Sequence, residues 1–401
     1  MHKIERLLQT LAPKGVEFRK LGEVINIFKG KQLNKELLLD YGEYPVMNGG
    51  IHASGYWNEY NTDCPKIIIS QGGASAGYVN YMTSKFWAGA HCYAIELNSE
   101  KLNYKFLYYF LKNSQTILMK SQFGAGIPAL NKADIETLTI PIPPLEIQQE
   151  IVKILDAFTE LNTELNTELK ARKKQYQYYQ NMLLDFKGIH SNHKDAKIKT
   201  YPKRLKTLLQ TLAPKGVEFR KLGEVCDFQK GKSITKKAVT FGKVPVISGG
   251  RQPAYYHNEA NRSGETIAIS SSGVYAGYVS YWDIPVFLAD SFSVSPKQKT
   301  LMPKYLFHYL TMQQDAIHAT KSTGGIPHVY SKDLQNFLIP IPPLEIQQEI
   351  VKILDQFLAL TTDLLAGIPA EIEARKKQYE YYREKLLTFK PLTLHKEVKK
   401  C

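Results

Sequence analysis

The sequence predicts an α+β chain made of two similar globular domains separated by two long helices, with an internal pseudo-twofold repeat. Three observations predict it. Framework segments are written twice in the same order. Each copy encloses short β-branched runs closed by glycine-rich turns, and each ends in a long stretch with the spacing of a heptad seam.

The repeat is plain in the letters. "LLQTLAPKGVEFRKLGEV" at 7–24 returns at 208–225, "IPIPPLEIQQEIVKILD" at 140–156 returns at 339–355, and "ARKKQY" at 171–176 returns at 374–379. A period of roughly 200 residues is a domain duplication rather than a solenoid. Between these blocks the halves agree only in outline, as in "YPVMNGG" against "VPVISGG" and "IIISQGGASAGYVNY" against "IAISSSGVYAGYVSY". A duplicated scaffold around divergent inserts suggests one architecture presenting two different recognition surfaces.

Within the first insert, "YPVMNGG", "KIIISQGG" and "AGYVNYM" read as strands ending in turns, and "NYKFLYYFLKNSQTILMKS" has helical spacing. "SQFGAGIPALNKADIETLTIPIPP" then runs through a glycine loop to a proline boundary. The division this implies is a framework segment at 1–25, a first domain at 26–144, a long helix at 145–188, a basic linker at 189–206, a second domain at 207–343, a second long helix at 344–390 and a basic tail at 391–401.

After Pro144 neither Pro nor Gly occurs until Gly188, so residues 146–186 suit one helix about 60 Å long. Its apolar steps run Ile147, Ile151, Ile154, Phe158, Leu161, Leu165, Leu169, then Arg172, Tyr176, Tyr179, Leu183 and Phe186. They alternate four and three, a heptad seam. The alternation breaks at Leu161, Leu165 and Leu169, a stutter inside the tetrapeptide repeat "TELNTELNTEL" at 159–169. The second copy keeps the seam as Ile346, Ile350, Ile353 and Phe357 but carries "AGIP" at 366–369, where Pro369 kinks or splits the helix. The two helices would bury their seams against each other, or serve as a solvated spacer.

Lys and Arg number 52 against 38 Asp and Glu, a net charge of +14, which favours a polyanionic partner or marks a merely basic protein. Cys64, Cys92, Cys226 and Cys401 lie far apart without metal-ligand spacing, which suggests free thiols in a reducing cytoplasm. No apolar signal core or membrane-length run occurs, so the expected protein is neither secreted nor membrane-embedded.

A nucleotide-modifying enzyme would need a GxGxxG turn or Asn-Pro-Pro-aromatic, a nuclease clustered carboxylates for Mg²⁺, an NTPase the P-loop; none occurs. No catalytic residue and no metal ligand is assigned, and His91 and His308, among apolar or aromatic neighbours, read as core or helix residues. The glycine clusters "NGG", "QGGASAG" and "GAGIP" either cradle phosphate through backbone amides or serve only as turns. Basic and aromatic residues interleave near them. Gln71 and Ser75 in the first insert, and Arg251, Gln252, Ser271 and Tyr275 in the second, are candidates for reading base edges, while Lys29, Lys31, Lys132, Lys230, Lys232 and Lys332 are candidates for phosphate contacts.

Two variable domains, each closed by "IPIPPLEIQQEIV" and a long helix and each opened by "GVEFRKLGEV", resemble the specificity subunit of Type I restriction-modification systems over nearly the whole chain. The resemblance implies two target recognition domains, each reading one half of an asymmetric bipartite site in double-stranded DNA. It implies an antiparallel coiled coil that spaces them and docks two modification (methyltransferase) subunits, with restriction (helicase-nuclease) subunits joining through those. It also implies that this chain binds no cofactor and is not itself an enzyme: S-adenosylmethionine, ATP and Mg²⁺ would belong to the partner subunits. The "AGIP" break departs from a continuous second helix.

Tetrapeptide repeats at this place are a feature of that family, linked to the length of the unspecified spacer. Each unit adds about 6 Å of helix and rotates the chain beyond it by ~40°, which corresponds to one or two base pairs of about 3.4 Å. A stand-alone DNA-binding or architectural protein is the competing reading, and a self-sufficient nucleic-acid enzyme a third.

Overall fold

The computed structural model describes residues 2–124, 126–186, 201–297, 299–322, 325–362 and 367–392. Residues 187–200, which hold the expected end of the long helix (145–188) and most of the expected linker (189–206), together with most of the tail, Ala366 and Cys401, lie outside the described residues. The chain divides into two compact units, residues 1–165 with 372–401, and residues 166–371. They do not coincide with the two halves of the sequence repeat.

In the first unit a helix, His2–Leu11, precedes β1 (Glu17–Lys20), then β2 (Ile25–Lys29), β3 (Tyr44–Met47), β4 (Gly55–Trp57), β5 (Lys66–Ser70), β6 (Val79–Met82), β7 (Trp87–Ala88), β8 (Cys92–Leu97) and β9 (Thr139–Ile142). A four-stranded antiparallel sheet has the order β2-β8-β5-β6, a three-stranded one β4-β3-β7 with a parallel β3–β7 pair, and β1 pairs with β9. Helices Tyr104–Asn113 and Gln115–Lys120 lie between β8 and β9, interrupted at Ser114, so the expected single helix is two. Asn103 caps the first, accepting from the amides of Lys105 and Phe106 at 2.9 and 3.0 Å.

The second unit repeats this plan. After a helix at Lys203–Leu212 come β10 (Glu218–Lys221), β11 (Cys226–Lys230), β12 (Val244–Ile247), β13 (Tyr255–His257), β14 (Thr266–Ser270), β15 (Val279–Trp282), β16 (Phe287–Leu288), β17 (Ser291–Pro296) and β18 (Leu338–Ile341). The sheets are β11-β17-β14-β15, β13-β12-β16 and β10-β18. Residues 203–206, read from sequence as linker, already form the first turn of the opening helix.

The proline boundary is held by a buried glutamine. Gln148 is fully buried; its amide donates to the carbonyls of Lys101 and Pro143 at 2.8 and 2.6 Å, and its oxygen accepts from Asn103 N at 2.7 Å. Gln347 does the same with Thr300, Pro342 and Met302 at 2.8, 2.7 and 2.9 Å. This is why "PPLEIQ" stands unchanged in both copies: a smaller or apolar residue would leave buried backbone groups unpaired.

The long helix runs unbroken over Leu145–Leu184. The second copy is two helices, Leu344–Thr362 and Ile368–Leu387. Pro369 stands in the first turn of the latter, where its missing N–H and fixed φ suit a helix start; it opens a helix rather than kinking one. Each unit pairs its own helix with one from the other half of the sequence. In the first, Phe158 stacks on Tyr382 at 5.4 Å; in the second, Phe357 stacks on Tyr179 at 4.9 Å. The pairing is antiparallel. Among the seam positions, Ile147, Ile151, Leu165, Tyr176, Leu183, Phe186, Ile346 and Ile350 are buried, and Ile154, Phe158, Leu161, Leu169, Arg172, Tyr179, Ile353 and Phe357 half-buried. Leu155 and Leu354, outside that series, are also fully buried.

A polar cluster ties the insert helix of each unit to the helix that follows its proline boundary, and in the second unit it also reaches the paired helix. Asp355 accepts from Lys304 Nζ at 2.7 Å and meets His308 Nε2 at 2.8 Å, while His308 Nδ1 meets the Tyr176 hydroxyl at 3.1 Å. Asp156 accepts from Lys105 Nζ at 2.7 Å and from the Tyr109 hydroxyl at 2.5 Å. In the first unit, segments from the two ends of the chain adjoin: Val16 N donates to Lys390 O at 3.0 Å and Leu392 N to Val16 O at 2.9 Å. Among the described residues Cys64 is an exposed free thiol and Cys92 and Cys226 are buried ones, and no helix is long and apolar enough to cross a membrane.

Burial alone raises the Asp355 pKa, but the hydrogen bonds and charges of His308 and Lys304 outweigh it and hold the carboxyl below its ordinary value. A depressed carboxyl stabilises the fold above the unfolded-state pKa and loses that contribution as pH falls through the folded value. Asp355→Asn should therefore lower the stability of the second unit by about 1–2 kcal/mol at neutral pH, and variant and parent should converge in acid. Melting temperatures measured across that range check both the size and the direction.

Candidate nucleic-acid interface

Four loops meet at one end of each four-stranded sheet. In the first unit the Ser70 hydroxyl donates to Gly49 O, Gln71 N donates to His91 O at 2.9 Å, Gly73 N to Pro128 O at 2.8 Å and Leu130 N to Gln71 O at 2.8 Å. These bonds gather residues 48–52, 71–77, 89–91, 123–124 and 126–130. In the second, Ser270 Oγ donates to Ser248 O at 3.1 Å, Ser271 N to Asp290 O at 3.0 Å, Gly273 N to Pro327 O at 3.0 Å and Val329 N to Ser271 O at 2.9 Å.

The glycines serve the turns themselves. Gly77 has φ +87°, and a Cβ there would lie 2.7 Å from the backbone of Leu118, so only glycine fits. The amides of Gly73, Ala76, Gly77 and Tyr78 all donate to carbonyls of the protein. Of the two readings that "QGGASAG" allows, these amides favour the turn over a phosphate cradle.

The second unit brings its expected base readers together. The Arg251 guanidinium lies 4.9 Å from the ring centroid of Tyr275 and 5.6 Å from that of Tyr278. Arg251 and Gln252 are exposed, Tyr275 is 41% exposed and Ser271 half-buried. Sequence reasoning does not single out Tyr278 or Lys321, which join the cluster through the fold; Lys321 Nζ reaches Val274 O at 3.3 Å. Burial first, and then the nearby Lys321 and Arg251, push the His318 pKa below its ordinary value while Asp315 opposes them. The cluster is therefore a concentration of positive charge with aromatic faces beneath it, suited to a phosphate or to a base edge.

The first unit has a different surface in the same place. Position 51 is Ile where 251 is Arg, and Ser75, half-buried, stands where Tyr275 does. The Gln71 side-chain oxygen is buried without a hydrogen-bond partner among the described residues, so that oxygen is turned away from solvent. His91 sits in an exposed turn before β8, contrary to the expected core or helix position, whereas His308 is fully buried in a helix.

Lys29, Lys31, Lys230 and Lys232 are exposed at the ends of β2 and β11, beside the third loop: Lys31 N donates to Ala88 O at 2.8 Å and Lys232 N to Leu288 O at 2.9 Å. Lys132 is instead paired with Glu136 at 3.3 Å one helical turn on, which neutralises it locally. Lys332 lies 5.4 Å from the Tyr330 ring centroid.

A family model described as "Type I restriction modification DNA specificity domain" matches residues 13–174 and again 214–374. The chain is 33% identical over 406 residues to a Haemophilus influenzae protein named "Putative type I restriction enzyme specificity subunit", covering 96% of this chain and 98% of that one. It is 30% identical to the Escherichia coli EcoR124I/EcoR124II specificity subunit, covering 98% and 99%. Among solved structures, the S subunit of a Type-I restriction-modification system from M. genitalium superposes with a TM-score of 0.66 at 25% identity, covering 93% of this chain and 96% of that one.

Arg251→Ala leaves a surface without its guanidinium and should weaken binding of target duplex by about 1–3 kcal/mol, with relaxed selectivity at one position. Replacing Lys29 and Lys31 by Ala should lower affinity for all sequences and flatten its salt dependence, while Lys132→Ala changes little. Titrations of duplex DNA at several salt concentrations separate the three.

Proposed function

The chain belongs to the type I restriction-modification specificity subunits, with two target recognition domains, and on that premise we propose that it is the non-catalytic, DNA-reading member of a larger complex. Each loop cluster reads one half of an asymmetric bipartite site in double-stranded DNA. The long helices set the spacer between the halves and dock two modification subunits, through which restriction subunits join. S-adenosylmethionine, ATP and Mg²⁺ act in those partners.

The observation that carries this reading is the contrast between constant scaffold and changed surface. Both units have the same sheets, the same glutamine clamp and the same stacked Phe–Tyr pair. At the loop end, Arg251 and Tyr275 in one stand where Ile51 and Ser75 stand in the other. Two surfaces that differ on one scaffold suit two different half-sites.

Purified alone with S-adenosylmethionine, the chain should leave DNA unmethylated; with its modification subunit it should mark one asymmetric bipartite sequence. Methylation by the lone chain, or a continuous palindrome marked by the complex, defeats the proposal.

The tetrapeptide repeat gives a second test. Removing Thr163 to Asn166 shortens the helix by about 6 Å. Sequencing of methylated sites should find a spacer shorter by one or two base pairs and unchanged half-sites. An unaltered spacer, or new half-site letters, argues against the helix as a ruler.

A further inference from the structure

Ile127 and Ile326 hold the same place in the two units. Each stands between a glycine and a proline, as Gly126-Ile127-Pro128 and Gly325-Ile326-Pro327. The two residues are 79% and 66% exposed. The loop that carries each is pinned from both sides. Phe123 and Ala129 exchange both backbone hydrogen bonds at 2.9 Å, and Pro128 O and Leu130 N bond to the neighbouring glycine loop at 2.8 Å each. In the second unit Ser322 N donates to His328 O at 3.0 Å, and Pro327 O and Val329 N make the equivalent bonds at 3.0 and 2.9 Å. The proline also fixes φ directly after each isoleucine.

A single exposed aliphatic side chain is ordinary on a protein surface. These two differ in that the same residue recurs at a pinned loop beside several exposed positions whose residues have changed. Around it, Ile51 corresponds to Arg251, Gln71 to Ser271, Ser75 to Tyr275 and Phe123 to Ser322. Side chains that read different half-sites must differ; one that stays the same within both clusters performs a task common to both. An isoleucine has no donor or acceptor with which to read a base edge. Ile and Pro are, however, among the apolar wedges that enter between base steps and bend a duplex onto the protein.

We propose that Ile127 and Ile326, each backed by its proline, are sequence-independent wedges that press into stacked base steps of duplex DNA, one at each half-site, and hold the bent DNA against the reading loops. This rests on the proposal that the loop clusters face DNA. The wedges supply affinity and seating; the residues that differ between the clusters supply selectivity.

The test uses the complex of the full chain with its modification subunits. Ile127→Ala, Ile326→Ala and the double substitution are compared with Ile127→Leu and Ile326→Leu on target duplexes carrying 2-aminopurine in one half-site or the other. Each alanine should lower affinity about tenfold, roughly 1.4 kcal/mol, and the double about a hundredfold. Each should also abolish the 2-aminopurine brightening in its own half-site only. Leucine should restore most of both effects, and the methylated sequence should stay the same throughout. The side chains are exposed, so melting temperatures should not move.

Alanine variants that bind and brighten like the parent overturn the wedge, as does a changed recognition sequence. Weaker assembly with the modification subunit in the absence of DNA also overturns it and assigns the residues to a protein contact. Arg251→Ala separates the failures. If it impairs DNA binding while the isoleucine variants are silent, only the wedge is wrong; if it too is silent, the loop clusters are not the DNA-reading surface.

Discussion

The buried carboxamide at the head of each long helix is the contact on which the rest of each unit depends. Gln148 ties the loop before the insert helix, more than forty residues earlier in sequence, to the proline boundary and the first turn of the long helix. Gln347 repeats the arrangement. A carboxamide taken out of water is tolerated only when its donors and acceptor are matched, and here they are. The direction in which each long helix leaves its recognition domain is thereby fixed by hydrogen bonds of defined geometry rather than by apolar packing alone.

On that foundation the helices exchange partners. Residues 166–184 come after the first domain in sequence but pack in the second unit, and residues 372–387 come after the second domain but pack in the first. Each unit therefore needs both halves of the chain. The stacked pairs Phe158–Tyr382 and Phe357–Tyr179 are the same interaction made twice, and the carboxylates Asp156 and Asp355 each draw a lysine and a second donor from the insert helix toward the long one. The duplication is thus closed: the segment after β18 completes the unit that the segment before β1 begins, through the bonds between Val16 and residues 390 and 392.

Much of this is legible in the letters. The repeat, the strand runs and the heptad spacing are local patterns, and strands, turns and seam positions derive from local periodicity. The exchange of helices is not legible, because no periodicity says which of two equivalent seams a helix will meet. His308 reads as an ordinary helix residue, and only the fold brings Tyr176 and Asp355 to its two ring nitrogens. Pro369 is legible as a break but not as a helix start, since that depends on where the preceding helix stops. At the loop ends, side-chain direction is set by bonds between loops far apart in sequence. Arg251 and Tyr275 stand out singly in the letters, but their stacking does not; the inward turn of the Gln71 oxygen is equally hidden.

The tetrapeptide run of the long helix has a property that ordinary helical sequence lacks. Its threonines close back on the turn before, Thr159 to Leu155 O and Thr163 to Thr159 O, both at 2.9 Å, and Leu161, Leu165 and Leu169 fall at one interval along it. The compact units also divide inside it, between Leu165 and Asn166. Inserting or removing one four-residue unit puts leucine where leucine stood and threonine where threonine stood along the helix itself. The helix keeps its chemistry and changes only its length and phase. The letters of such a segment therefore hold its composition constant while leaving its length open.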